Sequence, residues 1–297
     1  MKATVVINPI AGPGRSRTLD ACSALARESL ERGGFDVTVR VTAAPDDAQR
    51  FSQIAVNEGH TLVAAWGGDG TVNGVGAALA GSEVAMAIIP GGSGNGLARD
   101  LEVPLDAAAA FSMAASGATR TIDAGVLNGS LFFNVAGIGL DAVIARRLNA
   151  PGARRGLLGY VIATLRELPA YTACDYTITI AESGEPPITT TALMIALANS
   201  RQYGNGAQIA PDARLDDGKL DVVVVRPQSL LRIASRIPAF FNGSLQADAT
   251  LLMRTAATVD ISSEAEIAFH VDGEPRNGAT TVELRTRPHA LRVLVKP

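Results

Sequence analysis

The sequence predicts an α/β N-terminal domain, an open parallel and Rossmann-like sheet, followed by a mainly antiparallel β-sandwich C-terminal domain. Three observations support this. Up to residue 120, short apolar or β-branched runs alternate with segments of helical periodicity. After Asp123, strand-like runs follow one another with few helices between them. The chain has 297 residues, 47% hydrophobic and 19% charged, which suffices for two cores.

In order along the first half, residues 4–7 form a short β-branched run. Residues 18–32 carry a helical stripe through Leu19, Cys22, Leu25, Ala26 and Leu30. Residues 35–41 alternate as a second strand, and 46–58 place Ala48, Phe51, Ile54 and Ala55 on one helix face. The apolar runs 61–65 and 84–89 are the third and fourth strands, separated by a helix over 72–80. Residues 106–115 form an alanine-rich helix. Four strands joined by helices imply right-handed crossovers and a parallel sheet.

In the second half, the runs 126–127 and 131–135 flank Asn128-Gly129, a two-residue hairpin signal. Strands are expected at 176–180, 191–198, 220–225, 258–261, 267–271 and 281–284, and helices at 157–168 and 229–241. The domain boundary falls near residue 124, giving domains 1–124 and 125–287. The final run can pair with either half, so 288–297 can return to the first domain.

Composition excludes several classes. A formal net charge of −3 offers no general attraction for nucleic acid. Of 26 basic residues only Lys2, Lys219 and Lys296 are lysines, and none stands in a P-loop or in a protein-kinase strand motif. Cys22 and Cys174 form no CxxC pair, and His60, His270 and His289 are scattered, which argues against zinc or a disulfide framework. No apolar stretch is long enough for a membrane span, and the N-terminus lacks a signal-peptide layout. The cytosol is the expected compartment.

Polar, glycine-rich segments follow each of the four N-terminal strands. They are Asn8-Pro9-Ile10-Ala11-Gly12, then Thr42, then Gly67-Gly68-Asp69-Gly70-Thr71-Val72-Asn73, and then Pro90-Gly91-Gly92-Ser93-Gly94-Asn95. In an open parallel sheet these turns converge on one crevice at the carboxyl edge. Glycines there let backbone N–H groups approach a phosphate, and the following helix adds the positive end of its dipole. Thr71, Asn73, Ser93 and Asn95 supply neutral donors. Asp69 reads either as an Asx-type turn or as a group that binds Mg²⁺ or polarises an acceptor hydroxyl. In the second half, Asp216-Asp217-Gly218 and Asp272-Gly273-Glu274 read either as ordinary turns or as a cation ligand at Asp217 and a general base at Asp272 or Glu274.

In order and spacing these motifs resemble the diacylglycerol kinase-like lipid kinases, bacterial soluble lipid kinases and sphingosine kinases among them, nearly end to end. Gly-Gly-Asp-Gly alone is shared with NAD kinases and phosphofructokinases. The Asn-Pro start, the Pro-Gly-Gly-Ser-Gly-Asn segment and the late Asp-Gly-Glu carry the lipid-kinase likeness. The resemblance implies an active cleft between the two domains. It places ATP contacts at Asn8, Pro9, Ile10, Ala11, Gly12, Thr42, Gly67 to Asn73 and Ser93. It also implies a structural Mg²⁺ at Asp217 with the carbonyls of Arg214 and Lys219, and a proton acceptor at Glu274 with Asp272 alongside. Asp69 belongs to the catalytic and Mg–ATP shell. Ser93 stands where the family usually has Thr, and Gly74 where it usually has Glu.

The resulting expectation is an ATP- and Mg²⁺-dependent kinase that phosphorylates a hydroxyl of a diacylglycerol-like or related lipid. Two rivals are a kinase of a soluble acceptor such as NAD or a sugar phosphate, and an inactive nucleotide-binding regulator. Arg146, Arg147, Arg154 and Arg155, ahead of the apolar helix 157–168, read either as a solvated charged turn or as a transient, peripheral contact with an anionic membrane. An oligomer is compatible with the sequence.

Overall fold

The computed structural model describes residues 1–11, 18–150, 152–153 and 156–296. Gly12, Arg154 and Arg155 therefore lie outside the described residues. The chain divides into two compact units, Met1–Ile122 with His289–Pro297, and Asp123–Pro288.

The first unit runs β1 (Lys2–Ile7), α1 (Leu19–Arg32), β2 (Asp36–Val41), α2 (Asp47–Asn57), β3 (Leu62–Gly67), α3 (Asp69–Leu79), β4 (Ala85–Pro90), α4 (Gly96–Asp100) and α5 (Ala107–Ser116). The sheet order is β2-β1-β3-β4 with every pair parallel. Val293, near the C-terminus, extends it by pairing in parallel with Met86 of β4. The central strands are apolar on both faces: Val5, Val6, Val63, Ala64, Ala65, Ala87, Ile88 and Ile89 are all buried. Such continuous runs are what a sheet covered by helices on both faces requires. Side-chain caps start two of the helices, with Thr18 accepting from Ala21 N–H and Asp106 from Ala109 N–H.

β5 (Ala118–Leu127) leads into the second unit, which continues with β6 (Ser130–Phe132), β7 (Val135–Gly139), α6 (Leu140–Leu148), α7 (Leu157–Glu167), β8 (Cys174–Ile180), β9 (Ile188–Ala192), β10 (Met194–Ala198), β11 (Gln202–Gly204), β12 (Ala207–Gln208) and β13 (Leu220–Val225). It closes with α8 (Leu230–Asn242), β14 (Leu251–Ala256), β15 (Thr258–Ser262), β16 (Phe269–Val271), β17 (Glu274–Arg276) and β18 (Thr281–Val295), whose last residues are those that return to the first unit. One antiparallel layer is β14-β13-β10-β7-β16-β17, and the other contains β18-β15-β8-β9. Ile138, Ile195, Leu197, Val222, Val224 and Phe269 of the first layer pack with Tyr176, Ile178, Val259, Ile261, Val282 and Leu284 of the second. This is a β-sandwich core.

Several elements differ from the sequence expectation, and the strand expected at 131–135 divides into the end of β6 and the start of β7, which belong to different sheets. The single strand over 191–198 is two strands in different layers, β9 beside β8 and β10 between β7 and β13. The chain changes layer at Leu193, whose N–H bonds Val225 O and whose carbonyl accepts from Leu140 N–H. The helix expected from residue 72 begins at Asp69, which brings Asp69, Gly70 and Thr71 into its first turn. The short helix α6 was not expected; it starts directly from β7 through Gly139 at φ 78°, with no polar loop to announce it.

Candidate active site

The carboxyl ends of the parallel strands are level. Ile7 lies opposite both Val41 and Trp66, and Gly67 lies opposite Pro90. The ladder then continues one step beyond each strand. Asn8 N–H reaches Trp66 O at 2.9 Å, Thr42 N–H reaches Ile7 O at 2.9 Å, and Gly91 N–H reaches Gly67 O at 2.8 Å. Asn8, Thr42, Gly68 and Gly91 thus leave the sheet at one edge, where an open α/β sheet binds its ligands.

Side chains tie these turns together. Asn8 Nδ2 donates to Thr71 Oγ1 at 3.1 Å, while its Oδ1 accepts from Ile10 N–H, linking the first turn to the third. Asp69 links the third to the fourth: its carboxylate accepts from Asn95 N–H at 3.1 Å and Gly96 N–H at 2.9 Å. Asn95, in the left-handed region at φ 51°, closes its own turn by accepting from Gly92 N–H and donating to Gly92 O. The turns touch through backbone, since a Cβ on Gly92 would sit 2.6 Å from Gly68 Cα. Only glycine permits that approach.

Burial pushes the Asp69 carboxyl above the ordinary carboxylate range, against the pull of the Gly96 and Asn95 N–H groups and the Arg99 charge. At this rim Pro9, Ile10, Gly70 and Ser93 are exposed, and Asn8, Ala11, Thr42, Gly68, Asn73 and Asn95 are half-buried. Gly67, Thr71 and Val72 are buried, and Val72 faces the interior with its N–H donated to Gly68 O at 3.0 Å, so the expected nucleotide contact at Val72 is not supported by its position. The start of α3 lies at the same edge and turns the positive end of its dipole toward it.

One residue that sequence reasoning passed over belongs here. Asp47 accepts from Ala43 and Ala44 N–H at 2.8 and 2.9 Å and from Arg50, which pins the segment that presents Thr42. The Arg50 guanidinium, then the two N–H groups, pull its carboxyl down to about 2. A carboxylate in the first helical turn that reaches back to N–H groups three and four residues earlier is recognisable in the sequence only once the helix start is known. Gly74 is explained by packing: a Cβ there would lie 3.2 Å from Ala48 Cβ, so the close contact of α2 with α3 leaves no easy room for a longer side chain.

The second unit carries two acidic turns. At the first, Asp217 Oδ1 accepts from Lys219 N–H at 3.0 Å, and buried Asp123 accepts from Gly218 N–H at 2.6 Å. Asp217, Arg214 and Lys219 are exposed. Burial, then the nearby charge of Asp217, pushes the Asp221 carboxyl up to about 6. Asp123 was the other residue missed; as a buried carboxylate it anchors this turn from the start of the unit.

The second turn joins β16 to β17. Asp272 at φ 46° and Gly273 at φ 85° form a two-residue hairpin of type I′ geometry, with Val271 opposite Glu274. The Asp272 carboxylate accepts from Phe133 N–H at 2.9 Å, Asn134 N–H at 2.9 Å and Val135 N–H at 3.1 Å. Glu274 is exposed.

Comparison with known proteins gives matches to both units. Residues 2–127 match the diacylglycerol kinase catalytic domain, and residues 134–295 match the YegS C-terminal NAD kinase beta sandwich-like domain. A diacylglycerol kinase of Mycobacterium tuberculosis is 31% identical over 300 residues, spanning 99% of this chain and 94% of the relative. The chain belongs to the diacylglycerol kinase-like lipid kinase family. Another relative in this family, a "probable lipid kinase YegS-like" of Pseudomonas fluorescens, is 32% identical over 90% of this chain and 88% of its own length. A crystal structure from Bacillus anthracis, provisionally assigned as a diacylglycerol kinase, superposes with a TM-score of 0.83 at 25% identity, covering 100% of this chain and 97% of that one. The family's two-part architecture, a parallel α/β unit and an antiparallel sandwich, is the one observed. Among the described residues no helix is long and apolar enough to cross a membrane.

Proposed function

We propose that this kinase transfers the γ-phosphate of ATP to a hydroxyl of a diacylglycerol-like lipid, with Mg²⁺ as cofactor. The observation that carries the reading is the Asp69 clamp beside the Gly68–Gly92 approach, which makes the turns after β3 and β4 one rim of backbone N–H groups. A glycine rim at the carboxyl edge of a parallel sheet suits a triphosphate, and phosphoryl transfer is largely a matter of positioning and charge stabilisation. Asn8, Thr71, Asn73 and Ser93 supply donors around it, and Asp69 keeps the rim closed.

Glu274 is the better base of the two candidates. Three N–H bonds occupy both oxygens of the Asp272 carboxylate and commit it to holding the turn. Exposed Glu274 takes the hydroxyl proton as that oxygen bonds to the γ-phosphorus and the bond to the β-phosphate oxygen breaks, releasing ADP. The donor set of Asp217 with the carbonyls of Arg214 and Lys219 is hard oxygen throughout, beside the second carboxylate of Asp221, and its chemistry fits Mg²⁺. Bound there, the ion would neutralise charge and stiffen the turn.

The lipid side is supported by α7. Leu157, Leu158, Val161 and Leu165 are exposed on a helix whose buried residues are only Gly159 and Ala163. An apolar helix face of this kind suits reversible contact with a membrane surface. Arg147, from the basic cluster, is paired with Glu167, so the cluster is partly neutralised.

The test is transfer of labelled phosphate from ATP in the presence of Mg²⁺ to lipids in detergent micelles, beside NAD and sugar phosphates. Label in a lipid supports the reading. Label only in a soluble acceptor, or nucleotide binding without ADP release, overturns it in favour of a soluble-substrate kinase or an inactive regulator.

A further inference from the structure

His270 and Asp141 form a buried pair in the second unit, with Nε2 2.6 Å from Asp141 Oδ2. No step proposed above uses either residue. The other ring nitrogen is also engaged: Gly273 N–H donates to His270 Nδ1 at 3.2 Å. A backbone N–H can only donate, so Nδ1 is the unprotonated nitrogen and the ring proton sits on Nε2, directed at Asp141. The Asp141 carboxylate therefore selects the tautomer that accepts from the turn. Its other oxygen accepts from Tyr160 OH at 3.4 Å, which holds the carboxylate in place.

The fold makes room for this pair. A Cβ on Gly137, opposite His270 in the β7–β16 ladder, would lie 1.8 Å from Asp141 Oδ2 and 2.4 Å from His270 Nε2. The turn itself is held from three sides. β7 and its approach grip the Asp272 carboxylate, Asn149 at the end of α6 donates to Gly273 O at 2.8 Å, and His270 accepts from Gly273 N–H. A two-residue Asp-Gly hairpin forms without such help. What the clamps add is a fixed direction for the next residue, Glu274.

We propose that His270, oriented by Asp141, is a positioning residue that sets the Glu274 carboxylate by holding the Gly273 amide. The proposal rests on Glu274 being the proton acceptor. A displacement of about 1 Å at a reacting group can cost 100-fold in rate, whereas nucleotide binding does not sense it.

The experiment measures kcat, KM for ATP and Tm for His270→Ala, His270→Asn and His270→Gln, alone and combined with Glu274→Gln. Asparagine places an oxygen near the Nδ1 position and keeps the acceptor; glutamine reaches toward Asp141 but lacks it. We expect His270→Ala and His270→Gln to lose about 10- to 100-fold in kcat with KM for ATP within about twofold, and His270→Asn to recover most of the loss. In the Glu274→Gln background, His270→Ala should cost less than about threefold, because both act on one step. Equal kcat for Asn and Gln, or a full additional loss in the double variant, overturns the proposal. If His270→Ala does not fold, the Asn–Gln comparison decides. If Glu274→Gln alone keeps full turnover, the reading of Glu274 fails instead, a separate result.

Discussion

Replacing Asp69 by Asn separates the role of its charge from that of its shape. The carboxylate accepts two backbone N–H bonds, from Asn95 and Gly96, one to each oxygen. Asparagine keeps one oxygen and turns an NH₂ group toward the other donor, which loses its partner. A hydrogen bond to a charged group contributes about 1.5–3 kcal/mol. Relief of the buried charge, which burial already disfavours in Asp69, offsets part of that. The expected net loss is about 1–2 kcal/mol, a fall in Tm of roughly 2–4 °C per kcal/mol for a chain of this size. Turnover should fall far more, by about 100-fold or greater, because the turn after β4 is released and the negative group is gone. Thermal melts and labelled-phosphate transfer on the same preparation measure both. Wild-type turnover in a folded Asp69→Asn variant would refute the role.

Other substitutions probe the remaining parts of the site. Gly92→Ala forces a Cβ to 2.6 Å from Gly68 Cα, an overpacking cost of about 1–3 kcal/mol, so ATP affinity should drop about 10-fold or more; unchanged affinity by titration calorimetry would show that the contact is irrelevant to the nucleotide. Asp272→Asn and Glu274→Gln should part company: the first leaves one of three N–H groups unpaired and lowers stability by about 1–3 kcal/mol, while the second leaves Tm unchanged and lowers turnover to a small, measurable residue. Equal effects on Tm would contradict the assignment. Asp47, held down to about 2 in the folded state, contributes stability that is present above the ordinary carboxylate range and lost as pH falls from about 4 through about 2. Asp47→Asn should accordingly melt below wild type at pH 7, with the gap closing by about pH 2; a gap constant across that range counts against the assignment.

Much of the fold was readable because each half repeats one physical pattern. In the first unit, both-face apolar runs and helical stripes distinguish covered parallel strands from their crossovers, and Asn128-Gly129 announces the hairpin that opens the second. The division of 191–198 between two layers was not legible. Thr189 to Ala192 alternate in burial and Ile195 to Ala198 do not, but a change from half-buried to fully buried looks locally like one continuous strand. The site followed the same rule. Turns punctuated by glycine beside polar residues, from Asn8 to Asn95, were visible as candidates. The bonds that make them one rim, Asn8 to Thr71 and Asp69 to Asn95 and Gly96, join residues up to 63 positions apart and leave no local trace. His270 was hidden for the opposite reason: in a strand of apolar neighbours it reads as one more interior residue, and only the fold brings Asp141 and Gly273 to its two nitrogens.

The central claim is that the turns after β1, β3 and β4 hold the nucleotide together. Titrating ¹⁵N-labelled protein with a non-hydrolysable ATP analogue and Mg²⁺ tests it at the atoms concerned. The backbone amide signals of Asn8, Gly68, Gly70, Thr71, Gly92 and Ser93 should shift as one group with a single dissociation constant. Saturable nucleotide binding that leaves those amides unmoved, or that moves only one of the three turns, would contradict it.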